Sequence, residues 1–211
     1  MPRTVPVAWA AVAFFLCLGF LFSSSPVMAA PAGQVIGASG EAVLESGGQR
    51  RPLKLGDAVQ VGDTLDVPEG ARLKLRMNDG TILSVASGSR MTVQSYTVDA
   101  SGQRRDAQLS LASGLVRAVV SATAQPARFE VDTAVGTAGV RSTDWFCLVQ
   151  PTGMQVGVLT GSVDMTSLAT RRSVLIPARW GARLEAGRDP VPPRVWSQAE
   201  FEDVISRTDV R

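Results

Sequence analysis

The 211-residue sequence contains no histidine and only two cysteines. The absence of histidine excludes histidine-dependent catalytic triads and histidine metal sites, together with the commonest general base. Cys17 lies in an N-terminal apolar run, so Cys147 is the only cysteine after it and an internal disulfide is excluded there. Apolar neighbours favour a buried, inert thiol for Cys147. Lysine nucleophiles are scarce too, because Lys54 and Lys74 are the only lysines.

The sequence also lacks a large excess of positive or negative charge. The chain has 21 basic and 19 acidic residues. Binding a phosphate backbone relies on many basic contacts, so this balance argues against nucleic acid as a partner. The sequence contains no motif that pairs a nucleophile with a general base. We therefore expect no catalytic residues, no metal and no cofactor. A carboxylate pair such as Asp57 and Asp63 could in principle catalyse glycan hydrolysis. Both residues follow glycine, however, which is typical of aspartates in turns.

The N-terminus carries the pattern of an export signal. Arg3 precedes an apolar run over residues 5–22, and Val-Met-Ala at 27–29 offers small residues for a signal peptidase. Residues 1–29 are therefore predicted to be a signal peptide and the protein to be periplasmic. The alternative is an uncleaved anchor, because about 18 apolar residues can just span a bilayer. Membrane contact is expected only through this segment.

Residues 30–187 alternate apolar and polar positions between glycine turns, which predicts an all-β domain. In the clearest strand, residues 71–77, the apolar residues share one face, and Asn-Asp-Gly at 78–80 predicts a hairpin back through 81–85. Ser113-Gly114 is one of several expected separators between strands. Further strands are expected at residues 91–98, 107–111, 115–120, 129–133, 145–150, 154–159, 162–165, 173–176 and 182–185. A sandwich, or a β-roll or solenoid-like arrangement, fits this spacing.

Residues 188–211 differ in composition from the domain before them. Pro190, Pro192 and Pro193 form a stiff linker. Ser197 and Glu200 then have the spacing of a capping box, which predicts one short amphipathic C-terminal helix. Because so short a helix is marginal alone in water, we expect it to pack on its own domain.

A basic stripe lies on the polar face of the strand at 71–77. It consists of Arg72, Lys74 and Arg76. We take these three as candidate binding residues for an acidic protein surface or a glycan. A solvated strand face shows the same pattern, and this alternative stays open.

The densest motif is F-E-V-D-T-A-V-G-T-A-G-V-R-S-T-D-W at residues 129–145. It resembles the FecR domain, in which a strand ending in Thr leads through a glycine-containing bend and a Val-Arg-Gly-Thr-like turn into another strand. Shorter motifs agree in order, namely Gly-Asp at 56–57 and 62–63, Asp-Gly-Thr at 79–81, Ser-Gly-Leu-Val at 113–116 and V-L-T-G-S-V at 158–163. The resemblance extends over residues 35–187.

The resemblance implies a periplasmic domain that relays signals through contacts with outer-membrane receptors or other envelope proteins. Arg141, Thr143 and Asp144 of the turn are its candidate binding residues. Family regulators carry a sigma-factor-binding segment before a membrane helix, and only residues 1–6 precede the apolar run here. We therefore expect a protein-interaction or ligand-sensing module without that output. The alternatives are a cell-wall or polysaccharide-binding structural protein and an acid-dependent glycan hydrolase.

The conformation of Ser142 and the role of Arg141 in this turn cannot be decided from the motif alone. Ser142 stands where the family has glycine, so a positive φ there would strain it unless the turn takes another shape. Arg141 has two open roles, pairing within the turn or presenting its guanidinium to a partner's carboxylate. We favour the structural role, because a tight turn places many carbonyl groups within its reach.

The export pattern predicts the N-terminus of the secreted protein. We expect intact mass spectrometry of the periplasmic protein to show a chain that begins at Ala30 or within a residue or two of it. A membrane-bound species with the mass of the chain from Met1 would show an anchor instead.

Overall fold

The computed structural model describes residues 31–210. The predicted signal peptide, residues 1–29, lies outside the described residues. In chain order the elements are β1 (Pro31–Ser39), β2 (Val43–Ser46), β3 (Gln49–Pro52), β4 (Ala58–Gln60), β5 (Thr64–Val67), β6 (Arg72–Met77), β7 (Ile82–Val85), β8 (Ser89–Val98), β9 (Arg104–Val119), β10 (Arg128–Asp132), β11 (Gly136–Val140), β12 (Asp144–Gln150), β13 (Gly153–Thr160), β14 (Ser162–Ser167), β15 (Ser173–Pro177), β16 (Trp180–Glu185), β17 (Arg194–Val195) and α1 (Gln198–Thr208). The all-β prediction is confirmed.

Hydrogen-bonded pairings connect all the strands into one mixed sheet, which folds into two layers. In the first layer the strand order is β4-β1-β6-β7-β9-β12-β13-β16-β17. In the second layer it is β3-β2-β5-β8-β9-β10-β11-β14-β15. Among these pairings, β9 with β10 is parallel and the others are antiparallel.

Strand β9 belongs to both layers. It pairs with β8 and β10 in the second layer, and from Gly114 onward it pairs with β12 in the first. Gly114 has a φ of 87°, and a Cβ there would lie 2.4 Å from the Cα of Ser89, so the bend requires glycine. The predicted separation at Ser113-Gly114 is therefore wrong, because these residues bend one strand of 16 residues.

The two layers enclose one hydrophobic core. Alternation along β6 places Leu73, Leu75 and Met77 in it, each at most 2% exposed, and β6 and β7 form the predicted hairpin. Cys147 of β12 also lies in this core, and burial raises the pKa of its thiol to about 12. The predicted burial of Cys147 is confirmed, and the raised pKa disfavours the reactive thiolate.

The Gly-Asp pairs are turns, as predicted. The Asp57 carboxylate accepts a hydrogen bond from the Lys54 N–H at 3.0 Å, and the Asp63 carboxylate accepts one from the Gln60 N–H at 2.8 Å. Asp57 also pairs with Arg51 at 2.6 Å. Both carboxylates therefore have local structural partners, which weakens the case for an acid pair in glycan hydrolysis.

A buried polar cluster that the sequence analysis missed joins the two layers. The carboxylate of Asp79, in the β6–β7 turn, lies 2.5 Å from the guanidinium of Arg104, and both side chains are 1% exposed. The hydroxyl of Tyr96, from β8, donates to Asp79 at 2.6 Å, and Thr81 adds hydrogen bonds from its N–H and hydroxyl. The Arg104 guanidinium also stacks 5.3 Å from the ring centroid of Phe129.

The C-terminal segment, residues 196–210, covers part of the outer face of the first layer. The Ser197 hydroxyl accepts a hydrogen bond from the Glu200 N–H and the Glu200 carboxylate accepts one from the Ser197 N–H, so the predicted capping box is present. The Phe146 ring centroid lies 5.2 Å from that of Trp196 and 6.5 Å from that of Phe201. At the far end, Val210 packs against Gly37 of β1. The helix therefore packs on its own domain, as expected.

Two glycines of the first layer form a trough for these aromatic rings. A Cβ on Gly157 would lie 2.3 Å from the Phe146 ring, and a Cβ on Gly181 would lie 2.2 Å from the indole nitrogen of Trp196. Gly157 and Gly181 face each other across β13 and β16. The missing side chains are thus what allows the rings to lie close to the sheet.

The buried cluster generates a stability prediction. Asp79→Asn removes the charge that compensates Arg104 in the interior, so we expect a loss of about 3 to 5 kcal/mol in the free energy of unfolding. The control is Asp66→Asn, which removes the carboxylate of an exposed pair with Arg50 and is expected to cost about 0 to 1 kcal/mol. Denaturant unfolding measures both, and equal small losses would contradict the assigned role of Asp79.

Candidate functional site

The turn between β11 and β12 carries the predicted site residues. Ser142 has a φ of 44°, so the turn has the left-handed conformation that suits glycine and Ser142 adopts it at a cost of about 1 to 2 kcal/mol. Thr143 is 2% exposed, and its hydroxyl is 2.7 Å from the Arg141 carbonyl oxygen and 3.2 Å from that of Ser162. The Thr143 side chain therefore holds the turn together.

Asp144 is bound to another residue of the domain. Its carboxylate accepts two hydrogen bonds from the Arg117 guanidinium, at 2.9 and 2.8 Å, in a bidentate pair on the first layer. These hydrogen bonds are the main cause that raises the pKa of Arg117. Asp144 thus fastens the start of β12 to β9.

Arg141 differs from both of these neighbours. Its side chain is exposed, and it forms no hydrogen bond or ion pair with any residue between 31 and 210. The structure therefore goes against the structural role that we favoured for Arg141. A turn offers carbonyl groups only to a side chain that folds back on it, and here Thr143 occupies the turn's interior.

Arg141 borders an open groove of about 600 Å³ on the outer face of the second layer. The floor follows the strand register, in which Gly139 of β11 lies between Glu130 of β10 and Asp164 of β14. Leu175 of β15 is next in the row and is 65% exposed. The groove is lined by Pro126, Ala127, Arg128, Phe129, Gly139, Val140, Arg141, Ser162, Asp164 and Leu175.

Some charged side chains of the groove have partners within the domain and others do not. Arg128 binds Asp106 at 2.7 Å and lies 3.8 Å from Glu130. Within the described part of the chain, Arg141 and Asp164 have neither a hydrogen bond nor an ion pair through their side chains. The groove thus presents one free cation, one free carboxylate and the exposed Leu175 side chain.

The basic stripe lies elsewhere. Arg72, Lys74 and Arg76 belong to β6 of the first layer, so the structure does not bring them together with Arg141. Arg76 is exposed, whereas Arg72 and Lys74 are half-buried near the C-terminal segment. The stripe stays a predicted binding surface, separate from the groove.

Alternation and motif spacing alone could not reveal the groove. Arg128, Asp164 and Leu175 come from β10, β14 and β15 of one layer, in which β11 lies between β10 and β14, and each alone resembles an ordinary outward strand residue. Over residues 31–210 no group of acidic, cysteine or histidine side chains could hold a metal ion, and no helix is long and apolar enough to cross a membrane.

A model of the FecR protein family matches residues 63–164. This stretch of the chain is therefore similar to the FecR family. The FecR match is shorter than the expected span of residues 35–187, and it includes Arg141, Thr143 and Asp144. Apart from Leu175, every residue that lines the groove falls within the FecR stretch.

The fold is similar to that of a candidate anti-sigma factor from Parabacteroides distasonis, seen in two crystal structures. The TM-score is 0.54 and the sequence identity 15% in both comparisons. The similarity covers 66% of this chain and 62% of that protein, so this chain spans less than two thirds of its length. No curated protein sequence matches this chain.

The exposure of Arg141 generates a prediction that separates its two roles. We expect Arg141→Ala to change the free energy of unfolding by less than about 0.5 kcal/mol, as for an ordinary surface residue. Arg117→Ala is the matched comparison, and its lost bond to Asp144 is expected to cost about 1 to 3 kcal/mol. A similar loss for both variants in denaturant unfolding would restore the structural role of Arg141.

Proposed function

We propose that this protein is an exported FecR-domain module of the bacterial periplasm that binds an envelope protein in the groove beside Arg141. The match to the FecR family over residues 63–164 and the fold similarity to a candidate anti-sigma factor support a role in envelope signalling. The module acts by binding and not by catalysis.

The state of Arg141 carries this proposal. Thr143 and Asp144, beside it in the FecR motif, bind other parts of the domain, whereas Arg141 extends to solvent without a partner among residues 31–210. A free guanidinium beside a groove suits bidentate binding of a carboxylate. Asp164 and Leu175 add a site for a cation and one for an apolar side chain.

This combination favours a polypeptide over a glycan. Sugar rings commonly stack on exposed aromatic side chains, and the aromatic residue that lines the groove, Phe129, is 1% exposed. A polypeptide segment supplies carboxylate, basic and aliphatic side chains, which match Arg141, Asp164 and Leu175. We therefore assign the groove to a protein partner.

Site-specific photo-crosslinking in cells tests the proposal. A crosslinking amino acid at position 175 is expected to give a discrete adduct with one envelope protein, and Arg141→Glu is expected to abolish it. Leu55 supplies the matched control, because it is 71% exposed against 65% for Leu175 and lies outside the groove.

Position 55 should give no such adduct. Equal adducts from both positions, or an adduct that persists in Arg141→Glu, would contradict the proposed surface. Co-sedimentation of the purified protein with peptidoglycan, lost in Arg141→Glu, would assign the groove to the cell wall instead.

A further inference from the structure

A second, smaller cavity shares Arg141 with the groove. Its volume is about 270 Å³, and the loop at residues 122–127 forms most of its wall. Arg104, Arg141 and Ser142 complete the lining. Because Pro126, Ala127 and Arg141 line both cavities, the pocket adjoins the groove directly.

One uncompensated positive charge borders the pocket, that of Arg141. Arg104 and Arg141 line it and no acidic residue does, and the charge of Arg104 is compensated by the buried Asp79 carboxylate. Arg104 is 1% exposed, and its two terminal nitrogens bind Asp79 and the carbonyl oxygen of Ser121. Its Nε is buried and has no acceptor within the described part of the chain. A buried N–H group without an acceptor is rare in folded proteins and favours a group that can accept its hydrogen bond.

The rest of the lining indicates which anion fits. Beside the polar Thr123 and Gln125, three alanines and a proline form apolar walls: Ala122, Ala124, Pro126 and Ala127. A carboxylate on a short aliphatic chain could pair with Arg141 and accept a hydrogen bond from the Arg104 Nε–H while its chain contacts these walls, whereas phosphate is polar on all sides. The volume lies below the range of about 300 to 1,000 Å³ typical of pockets for drug-sized molecules, so it suits the end of a chain.

We propose that this pocket binds a carboxylate carried on a short aliphatic chain, held between Arg104 and Arg141. Two sources share this chemistry, the free C-terminal carboxylate of a polypeptide that occupies the adjoining groove, and a small aliphatic acid. The first rests on the proposed function, whereas the second does not need a protein partner. We assign the pocket to the chain terminus because it opens beside the groove.

Titration by NMR spectroscopy tests the assignment on the purified protein. The probes are acetyl-Ala-Ala with a free carboxylate, its C-terminal amide, propionate and inorganic phosphate. We expect the free acid to shift the side-chain Nε–H signals of Arg104 and Arg141 saturably. The amide should bind at least about tenfold more weakly, because it lacks the charge.

Ser142 offers a matched pair of variants. Asn and Asp both tolerate the positive φ at this position and have nearly the same shape. Ser142→Asp places a competing carboxylate in the pocket wall and should weaken binding of the free acid about tenfold or more, whereas Ser142→Asn should keep it within about twofold. Arg141→Gln should weaken binding as Ser142→Asp does, and Arg183→Gln, an exposed arginine outside the pocket, should not.

The outcomes separate this inference from the proposed function. Equal binding of the acid and its amide, binding of phosphate as tight as that of the acid, or no effect of Arg141→Gln would overturn the carboxylate site. Propionate binding as tightly as the peptide would keep the site and assign it to a small acid. Binding of the peptide without any crosslinked partner at Leu175 would keep the pocket and refute the envelope partner.

Discussion

The buried contact between Arg104 and Asp79 is the constraint on which the arrangement of the two layers depends. A charge in the interior has to be compensated, so Arg104 at the start of β9 fixes the position of the β6–β7 turn. Tyr96 is drawn in as well, and its burial, together with its hydrogen bond to Asp79, raises the pKa of its hydroxyl above the usual range. The same arginine lines the pocket beside Arg141, which connects the interior to the proposed binding surface.

Features set by local sequence could be predicted. Alternation in residues 71–77 identified β6 and its buried face, because one side of a strand must meet the core. The spacing of Ser197 and Glu200 identified the start of α1, because a capping box acts within one turn of helix. The family's glycine at position 142 correctly pointed to a left-handed turn, which Ser142 adopts at some cost.

Features that depend on tertiary contacts could not be predicted from the sequence. Ser113-Gly114 resembles a turn, and only the close approach of Ser89 shows that Gly114 bends a strand shared by two layers. Asp79 sits in an Asn-Asp-Gly turn that would ordinarily face water, and Arg104, 25 residues away, turns it inward. The sequence favours a role for Arg141 within the turn, whereas in the structure the buried Thr143 hydroxyl binds the turn's carbonyl groups. In each case the conformation is determined by a contact with a residue distant in sequence or by the burial of a side chain.

The glycine trough of the first layer has a consequence for recognition. Trp196 already lies in it and packs against Phe201, so any protein that approaches this face meets the chain's own C-terminal segment as a tethered competitor. A tethered segment acts at an effective concentration of roughly millimolar, which a free ligand of modest affinity does not match. The C-terminal segment thereby protects the outer face of the first layer from weak, nonspecific binding. Partners are directed to the outer face of the second layer by the chain itself.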